Sequence, residues 1–307
     1  MNKSFENGEI LKIMFLGLDN SGKTSILYAL ENAYNKLENV KPTLSFETKK
    51  LFNILGLDIY VWDLGGQKKF REKYLKNQEY FDNVNQIFWV IDLQDELRFI
   101  ESIEYFMRIW ELLENTQIKM PHITFFLHKS DPDIRNNEKI RSNVKSVIDL
   151  FSDLPQKFSF HETSIYAREE LLIAFSKSLR NVFPKANVLD DYLNSFLNKT
   201  NSNAIVLLDK NILVLSEAKK DEKSLEICNV CGPYFAKMAE KLRSYTMAVP
   251  DFIQAQMEGW LFFKSITIKD EIFYLVVFNK EEEECTMINQ YMQSFVESLQ
   301  NVIKYVL

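Results

Sequence analysis

The chain reads as a mostly parallel α/β sheet flanked by helices over residues 1–185, followed by a smaller α+β domain over residues 186–307. Three observations predict this. A short apolar run, Ile10-Leu11-Lys12-Ile13-Met14-Phe15-Leu16, leads into a glycine-containing loop and then a helical stretch, the strand–loop–helix unit of a phosphate-binding sheet. After Pro184 the pattern changes to β-rich runs separated by turn residues and bracketed by amphipathic stretches. The length, 307 residues, is about twice that of a typical domain.

Composition sets the outer limits. With 26% charged and 46% hydrophobic residues, and only 8 Gly and 7 Pro, the chain is globular rather than fibrous or linker-dominated. The balance of 37 basic against 43 acidic side chains leaves a net charge of −6, with most of the acidic excess after Lys185. No long basic run occurs, which argues against a nucleic-acid platform. Three cysteines, Cys228, Cys231 and Cys285, are too few for a disulfide framework. Met1-Asn2-Lys3-Ser4-Phe5 opens no apolar signal segment, and no stretch reaches the roughly 18 apolar residues of a membrane span. Residue 2 is not Gly, and the terminal Lys304-Tyr305-Val306-Leu307 carries no prenylatable Cys. The expectation is a cytoplasmic protein without a lipid anchor of its own, any membrane recruitment falling to a partner.

The loop after the first strand, Gly17-Leu18-Asp19-Asn20-Ser21-Gly22-Lys23-Thr24, satisfies G-x-x-x-x-G-K-[ST] and runs into Ser25-Ile26-Leu27-Tyr28-Ala29-Leu30. Glycine lets the backbone curl so that successive N–H groups of Asp19, Asn20, Ser21, Gly22, Lys23, Thr24 and Ser25 face phosphate oxygens, and the helix N-terminus adds its positive end. Lys23 supplies a compact charge at the β- and γ-phosphates, and the Thr24 hydroxyl is a Mg²⁺ ligand. The competing reading is an ordinary glycine turn; a chance match in a chain this long is on the order of one in a hundred, before the flanks are considered.

Further stations narrow the chemistry. A second apolar strand, Leu57-Asp58-Ile59-Tyr60-Val61, ends in Trp62-Asp63-Leu64-Gly65-Gly66-Gln67. A strand-terminal Asp63 suits a Mg²⁺ contact, Gly66 offers a backbone N–H to a γ-phosphate, and Gln67 can orient an attacking water. Between these motifs lies Thr43, in Lys41-Pro42-Thr43-Leu44-Ser45-Phe46-Glu47, a polar stretch able to fold over the metal and sense the third phosphate. Downstream, Ile123-Thr124-Phe125-Phe126-Leu127 ends in His128-Lys129-Ser130-Asp131. There Asp131 can accept two hydrogen bonds from a guanine edge, and the Lys129 stem can pack beside the base. Phe158-Ser159-Phe160 leads to His161-Glu162-Thr163-Ser164-Ile165-Tyr166, whose Ser164 and Ile165 bring backbone N–H groups toward guanine O6. Order and spacing make these five stations one site for GTP or GDP with Mg²⁺.

Residues Gly17–Thr24 and Trp62–Gln67 resemble the Arf family of small GTPases, whose equivalents read G-L-D-x-x-G-K-T and W-D-x-G-G-Q. The box His128-Lys129-Ser130-Asp131 departs from the Asn-Lys-x-Asp of Arf and Ras proteins and is similar to the His-Lys-x-Asp of the Rag/Gtr family, as is Thr163-Ser164-Ile165-Tyr166. The resemblance implies a Ras-like phosphate-loop GTPase domain, with a second domain of about the length found here. With His128 in place of Asn, the hydrogen bond toward the phosphate loop passes to an imidazole. No Arg precedes Arg71, so none is available in cis before Thr43. Slow intrinsic hydrolysis and dependence on an activating protein follow.

After Pro184, Val188–Leu197 has helical spacing. Asn203–Leu208 and Ile212–Leu215 are strands around a hairpin turn at Asp209-Lys210-Asn211. A helix over about Ser224–Thr246 precedes strands at Ile253–Met257, Trp260–Ile268 and Glu271–Phe278, with turns at Glu258-Gly259 and Lys269-Asp270. A final helix from Glu282 to about Tyr305 presents Met287, Tyr291, Phe295, Leu299 and Val302 on one face, its acidic start suited to the dipole. This α-β-β-α-β-β-β-α order resembles a roadblock (longin-related) domain, which in Rag proteins serves dimerisation and docking. Cys228-Asn229-Val230-Cys231 lacks further metal-ligand partners at suitable spacing and reads as a buried helix face. The resemblance implies a homodimer, or a heterodimer with another Rag-like GTPase or a roadblock protein, served by activating and exchange factors. Two other readings are a scaffold subunit stabilised by a permanent nucleotide and an Arf-like trafficking switch.

Overall fold

Ile13, Met14, Phe15 and Leu16 are consecutive, apolar and fully buried in β1 (Ile10–Gly17). A strand covered on both faces belongs inside a sheet sandwiched by helices. The computed structural model describes residues 10–44, 46–54, 57–115, 119–152, 154, 156–183, 186–245, 247, 252–268 and 271–306, and puts β1 in such a place. It lies between β3 (Leu57–Leu64) and β4 (Val84–Asp92). β2 (Phe46–Ile54) flanks β3, and β5 (His122–His128) and β6 (Ser159–Thr163) continue beyond β4. Every pairing in this six-stranded sheet is parallel except that of β2 with β3.

The chain leaves β1 toward β3 on one side and then crosses to β4 on the other. That reversal opens a crevice at the carboxyl ends of the strands, where α/β sheets hold ligands. Helices α1 (Lys23–Leu30), α2 (Lys68–Leu75), α3 (Phe99–Glu114), α4 (Glu138–Asp149) and α5 (Arg168–Leu179) alternate with the strands. α3 buries Phe99, Tyr105, Phe106, Ile109 and Leu113 at helical spacing. Its Phe106 joins an aromatic core with Trp89, Phe125 and Phe151, where the Phe125 and Phe151 ring centroids lie 4.4 Å apart. The abundant Phe of this half is therefore largely core.

The chain divides into two compact units, Met1–Ala174 and Phe175–Leu307. The division falls within α5, ahead of the boundary at residue 185 expected from the sequence. The second unit contains α6 (Ala186–Thr200), β7 (Ala204–Asp209), β8 (Val214–Lys219), α7 (Glu222–Ser244), β9 (Phe252–Gln256), β10 (Trp260–Ile268), β11 (Glu271–Asn279) and α8 (Glu282–Val306). Its five strands form an antiparallel sheet in the order β8-β7-β11-β10-β9, fitting a longin-like domain. Asp221 caps α7 by accepting the Ser224 N–H at 2.9 Å, which sets the helix start. Pro184 and the expected turn at Lys269-Asp270 lie outside the described residues.

Two details of this unit qualify the sequence reading. Cys228 is fully buried on α7 but Cys231 only half-buried, and burial raises the pKa of both thiols, so neither is an activated nucleophile. On α8 the buried face is rotated from the expected one. Phe295 and Leu299 face inward as expected, but Ile288, Met292 and Ile303 are buried where Met287, Tyr291 and Val302 were expected. Phe295, common to both faces, stacks on Phe196 and Tyr192 of α6, with ring centroids 3.9 and 4.9 Å away, while the half-buried Tyr291 ring meets the Lys199 ammonium at 3.9 Å. No helix among the described residues is long and apolar enough to cross a membrane.

Candidate functional site

The loop between β1 and α1 is shaped by backbone conformations that few residues adopt. Asn20 has φ 60° and Gly22 φ 97°, turning the chain so that α1 starts at Lys23. The Lys23 side chain is buried and folds back on its own loop, donating to Leu18 O at 2.6 Å and Gly17 O at 3.3 Å. Burial lowers its pKa to about 8. A buried ammonium whose partners are carbonyl dipoles, beside a helix N-terminus with no acidic residue in its first turn, is matched to an anion.

A cleft of about 230 Å³ opens here. Asp19, Asn20, Gly22, Lys23, Thr24 and Ser25 form one wall, Lys41, Pro42 and Thr43 another, and Gly66 and Gln67 a third. Gly66 packs so closely on the phosphate-loop backbone that a Cβ there would come within 2.2 Å of Asp19 N. Ser21, predicted for the loop, is buried beneath it, its Oγ 3.4 Å from Lys23 Nζ.

The three predicted metal ligands converge. Asp63 Oδ2 accepts from Thr24 Oγ1 at 2.6 Å and from Thr43 Oγ1 at 3.2 Å, and the two hydroxyls are 3.1 Å apart. The other oxygen, Asp63 Oδ1, is buried with no hydrogen-bond partner. A buried acceptor left unpaired is costly. Two hydroxyls and a carboxylate form the hard oxygen set that Mg²⁺ takes alongside phosphate oxygens and water, so these residues fit that ion.

At the other end of the crevice, Asp131 Oδ1 accepts from Ser164 Oγ at 2.5 Å and Oδ2 from Gln94 Nε2 at 3.3 Å. A carboxylate so held keeps acceptor capacity for two further N–H groups. Lys129, at φ 63°, directs its Nζ to Asp92 Oδ2 at 2.6 Å. The Ile165 carbonyl accepts from Tyr34 OH at 2.8 Å, tying the base-side loop to the segment after α1. His128 is buried with Nδ1 3.0 Å from Thr163 Oγ1, and burial, aided by the Lys129 charge, depresses its pKa to about 3. The imidazole is neutral at physiological pH.

Sequence reasoning missed Gln94, Tyr34 and Arg98, the last of which binds Asp19. A signal was present for Gln94: Asp92-Leu93-Gln94-Asp95 is a largely polar run directly after an apolar strand, at the edge where α/β sheets place ligand-contacting groups.

Comparison with known proteins places the chain in a family. The Gtr1/RagA G protein conserved region matches residues 12–240. Over 132 residues the chain is 36% identical to ADP-ribosylation factor-like protein 3 of Caenorhabditis elegans, an alignment covering 42% of this chain and 67% of that protein. It is 37% identical over 121 residues to ADP-ribosylation factor-like protein alp41 of Schizosaccharomyces pombe, covering 39% and 60%. The chain thus spans about two thirds or less of the length of these relatives. The structure of the Arl6 BBS3 small GTPase from Trypanosoma brucei with bound GppNp aligns with 56% of this chain and 96% of its own, at 21% identity and a TM-score of 0.44. Since the family match runs from β1 into α7, well over half the chain, this protein belongs to the Gtr1/RagA family of small GTPases.

Proposed function

We propose that the chain is a Rag-type regulatory switch that binds GTP or GDP with Mg²⁺, hydrolyses GTP slowly, and changes partner binding with nucleotide state. The observation that carries this reading is the meeting of Thr24, Thr43 and Asp63 with Asp63 Oδ1 left unpaired. Thr43 comes from the segment that would report the third phosphate, so its presence at the metal ligands couples nucleotide state to loop position. A Mg²⁺ bound there would neutralise phosphate charge. Lys23 would hold the β- and γ-phosphates, the Gly66 N–H the γ-phosphate, Gln67 the attacking water, and Asp131 the guanine edge, with Lys129, Ser164, Ile165 and His128 shaping the base pocket. Among the described residues, those lining the cleft include no arginine, which accords with slow turnover and an external activator.

The second unit would serve as the dimerisation module, toward a second copy, another Rag-like GTPase or a roadblock protein. Its edge strands β8 and β9, the exposed Val230 and Tyr234 of α7 and the exposed Tyr245 just after that helix support that role.

Titration of the full chain with fluorescent GDP, GTP and ATP, with and without EDTA, tests the switch. Guanine nucleotides should bind, ATP should not, and EDTA should speed release. Equal affinity for ATP and GTP would overturn the base-site reading. Retention of intact GTP over hours, even with Mg²⁺, would favour a nucleotide-stabilised scaffold instead. Sedimentation of the full chain with GDP and then with a GTP analogue tests association; a strict monomer in both states removes self-association.

A further inference from the structure

Asp19 places a carboxylate in a loop built to receive phosphates, and the fold supplies it with a cation. Arg98, immediately before α3, donates from Nη2 to Asp19 Oδ1 at 2.8 Å and from Nη1 to Asp19 O at 3.1 Å. Its Nε donates to Glu101 Oε2 at 3.0 Å, so the guanidinium is held on two sides. Glu101 Oε1 in turn accepts from Nη2 of Arg71, a buried residue of α2 whose guanidinium carbon is 5.1 Å from the Tyr105 ring centre. An alternating chain of charge therefore runs from the phosphate loop to the helix that follows Gln67.

As a stabilising device the outer link is weak. The Arg98 and Asp19 side chains are 30% and 44% exposed, and exposed pairs contribute little to folding. The placement has more consequence. Asp19 lines the cleft together with Gly66, and a Cβ on Gly66 would come within 2.2 Å of the Asp19 backbone N, which puts Asp19 beside the group read as the γ-phosphate donor. Although partial burial pushes its carboxyl up, the hydrogen bond and charge of Arg98 hold it below the ordinary range, so it is ionised. Left uncompensated, that anion would repel an incoming triphosphate more than a diphosphate.

We propose that Arg98 is a positioning residue that neutralises Asp19, with Glu101 and Arg71 holding its guanidinium in place, so that the loop accepts the third phosphate. This rests on reading the cleft as a guanine-nucleotide site. Loss of Arg98 lowers affinity for GTP relative to GDP, and removing the Asp19 charge as well restores the balance.

The test is the ratio of dissociation constants for a slowly hydrolysed GTP analogue and GDP, measured on the full chain with Mg²⁺. Arg98→Ala should shift that ratio about tenfold against the triphosphate. Adding Asp19→Asn to Arg98→Ala should bring the ratio back to within about twofold of wild type, a rescue that a purely structural role would not produce. Glu101→Gln, which weakens one anchor while leaving Arg98 present, should give a smaller shift of the same sign. An unchanged ratio in Arg98→Ala, equal weakening of both nucleotides, or no rescue in the double variant overturns the inference while leaving the nucleotide site intact. A wild-type chain that binds neither nucleotide overturns the nucleotide-site reading, and this inference with it.

Discussion

The imidazole of His128 fills the space that a side chain on Gly22 would need: a Cβ there would come 2.4 Å from Cδ2 and 2.8 Å from Nε2. The end of β5 and the phosphate loop thus brace each other through one ring. Gly22→Ala meets two penalties, the ring and a φ of 97° that L-residues rarely adopt. It should destabilise the chain by about 1–3 kcal/mol and weaken GDP binding at least about tenfold. Urea unfolding and nucleotide titration check both effects. Adding His128→Ala should recover only part of the stability, because the backbone strain remains.

His128 also makes stability depend on pH. Burial depresses its folded pKa to about 3, below the unfolded value near 6.5, so the unfolded chain binds the proton first. Its contribution is complete above about pH 6.5 and declines as pH falls toward 3, by about 1.4 kcal/mol per unit. His128→Asn restores the residue usual at this position in related boxes and removes the titration. Melting of the two proteins between pH 4.5 and 7.5 should show the wild type falling faster on acidification. Parallel curves would refute the assignment.

Thr24, Thr43, Asp63 and Asp131 were legible because each has one chemistry at one place, a hydroxyl or carboxylate at a strand end or loop downstream of a glycine-containing motif. The structure brings the first three within hydrogen-bonding distance of one another. The position of Gln94 carried a signal, but the partners of Gln94 and Arg98 were not legible, because nothing in their types says that the segment after β4 folds back on Asp131 and Asp19. Such long-range partners are set by the sheet order. The α8 face shows the same limit: Met287 and Ile288 lie one position apart, a rotation of about 100°, and both are apolar. Residue type does not choose between the stripes, and Phe295, stacked on Phe196, is common to both; the choice lies in what the rest of the unit packs against the helix.

Gln67 stands at the N-cap of α2 and lines the same cleft as Lys23. Gln67→Leu keeps the lysine and the hydroxyl–carboxylate cluster while removing the group proposed to orient water. GTP affinity should change less than about threefold and single-turnover hydrolysis should drop roughly a hundredfold. Rapid-quench measurements with and without an activating protein would show it; an unchanged rate in both rejects Gln67 as the water-positioning residue.

Asp131 is held at both oxygens by Ser164 and Gln94, so its carboxylate is fixed in orientation before any base arrives. Asp131→Asn replaces an acceptor-only group by an amide that can donate. Guanine, which presents N–H donors, should lose affinity by roughly two orders of magnitude, and xanthine, which offers a carbonyl in place of the amino group, should gain. Competition between GDP and XDP measures the exchange. Unaltered GDP preference would detach Asp131 from base selection.

Asp209 gives the second unit a pH response of opposite sign to that of His128. It is buried at the end of β7, where Oδ1 accepts the N–H groups of Asn211 and Leu213, each at 2.8 Å, and Oδ2 accepts from Asn211 Nδ2 at 2.9 Å. These bonds hold a turn in which Ile212 takes φ 70°, a strained conformation for a β-branched residue. Burial outweighs the donors and raises the Asp209 pKa to about 6. With a folded value above the unfolded 3.8, the stabilising contribution is complete below about pH 4 and is lost as pH rises through 6. Asp209→Asn keeps an acceptor for the two backbone N–H groups and cannot ionise. Wild-type stability minus variant stability should therefore fall by about 3 kcal/mol between pH 4 and pH 7. Carboxyl-carbon NMR of the full chain gives the direct check, since Asp209 should titrate near pH 6; an ordinary carboxylate midpoint would show that the three donors, not burial, dominate this turn.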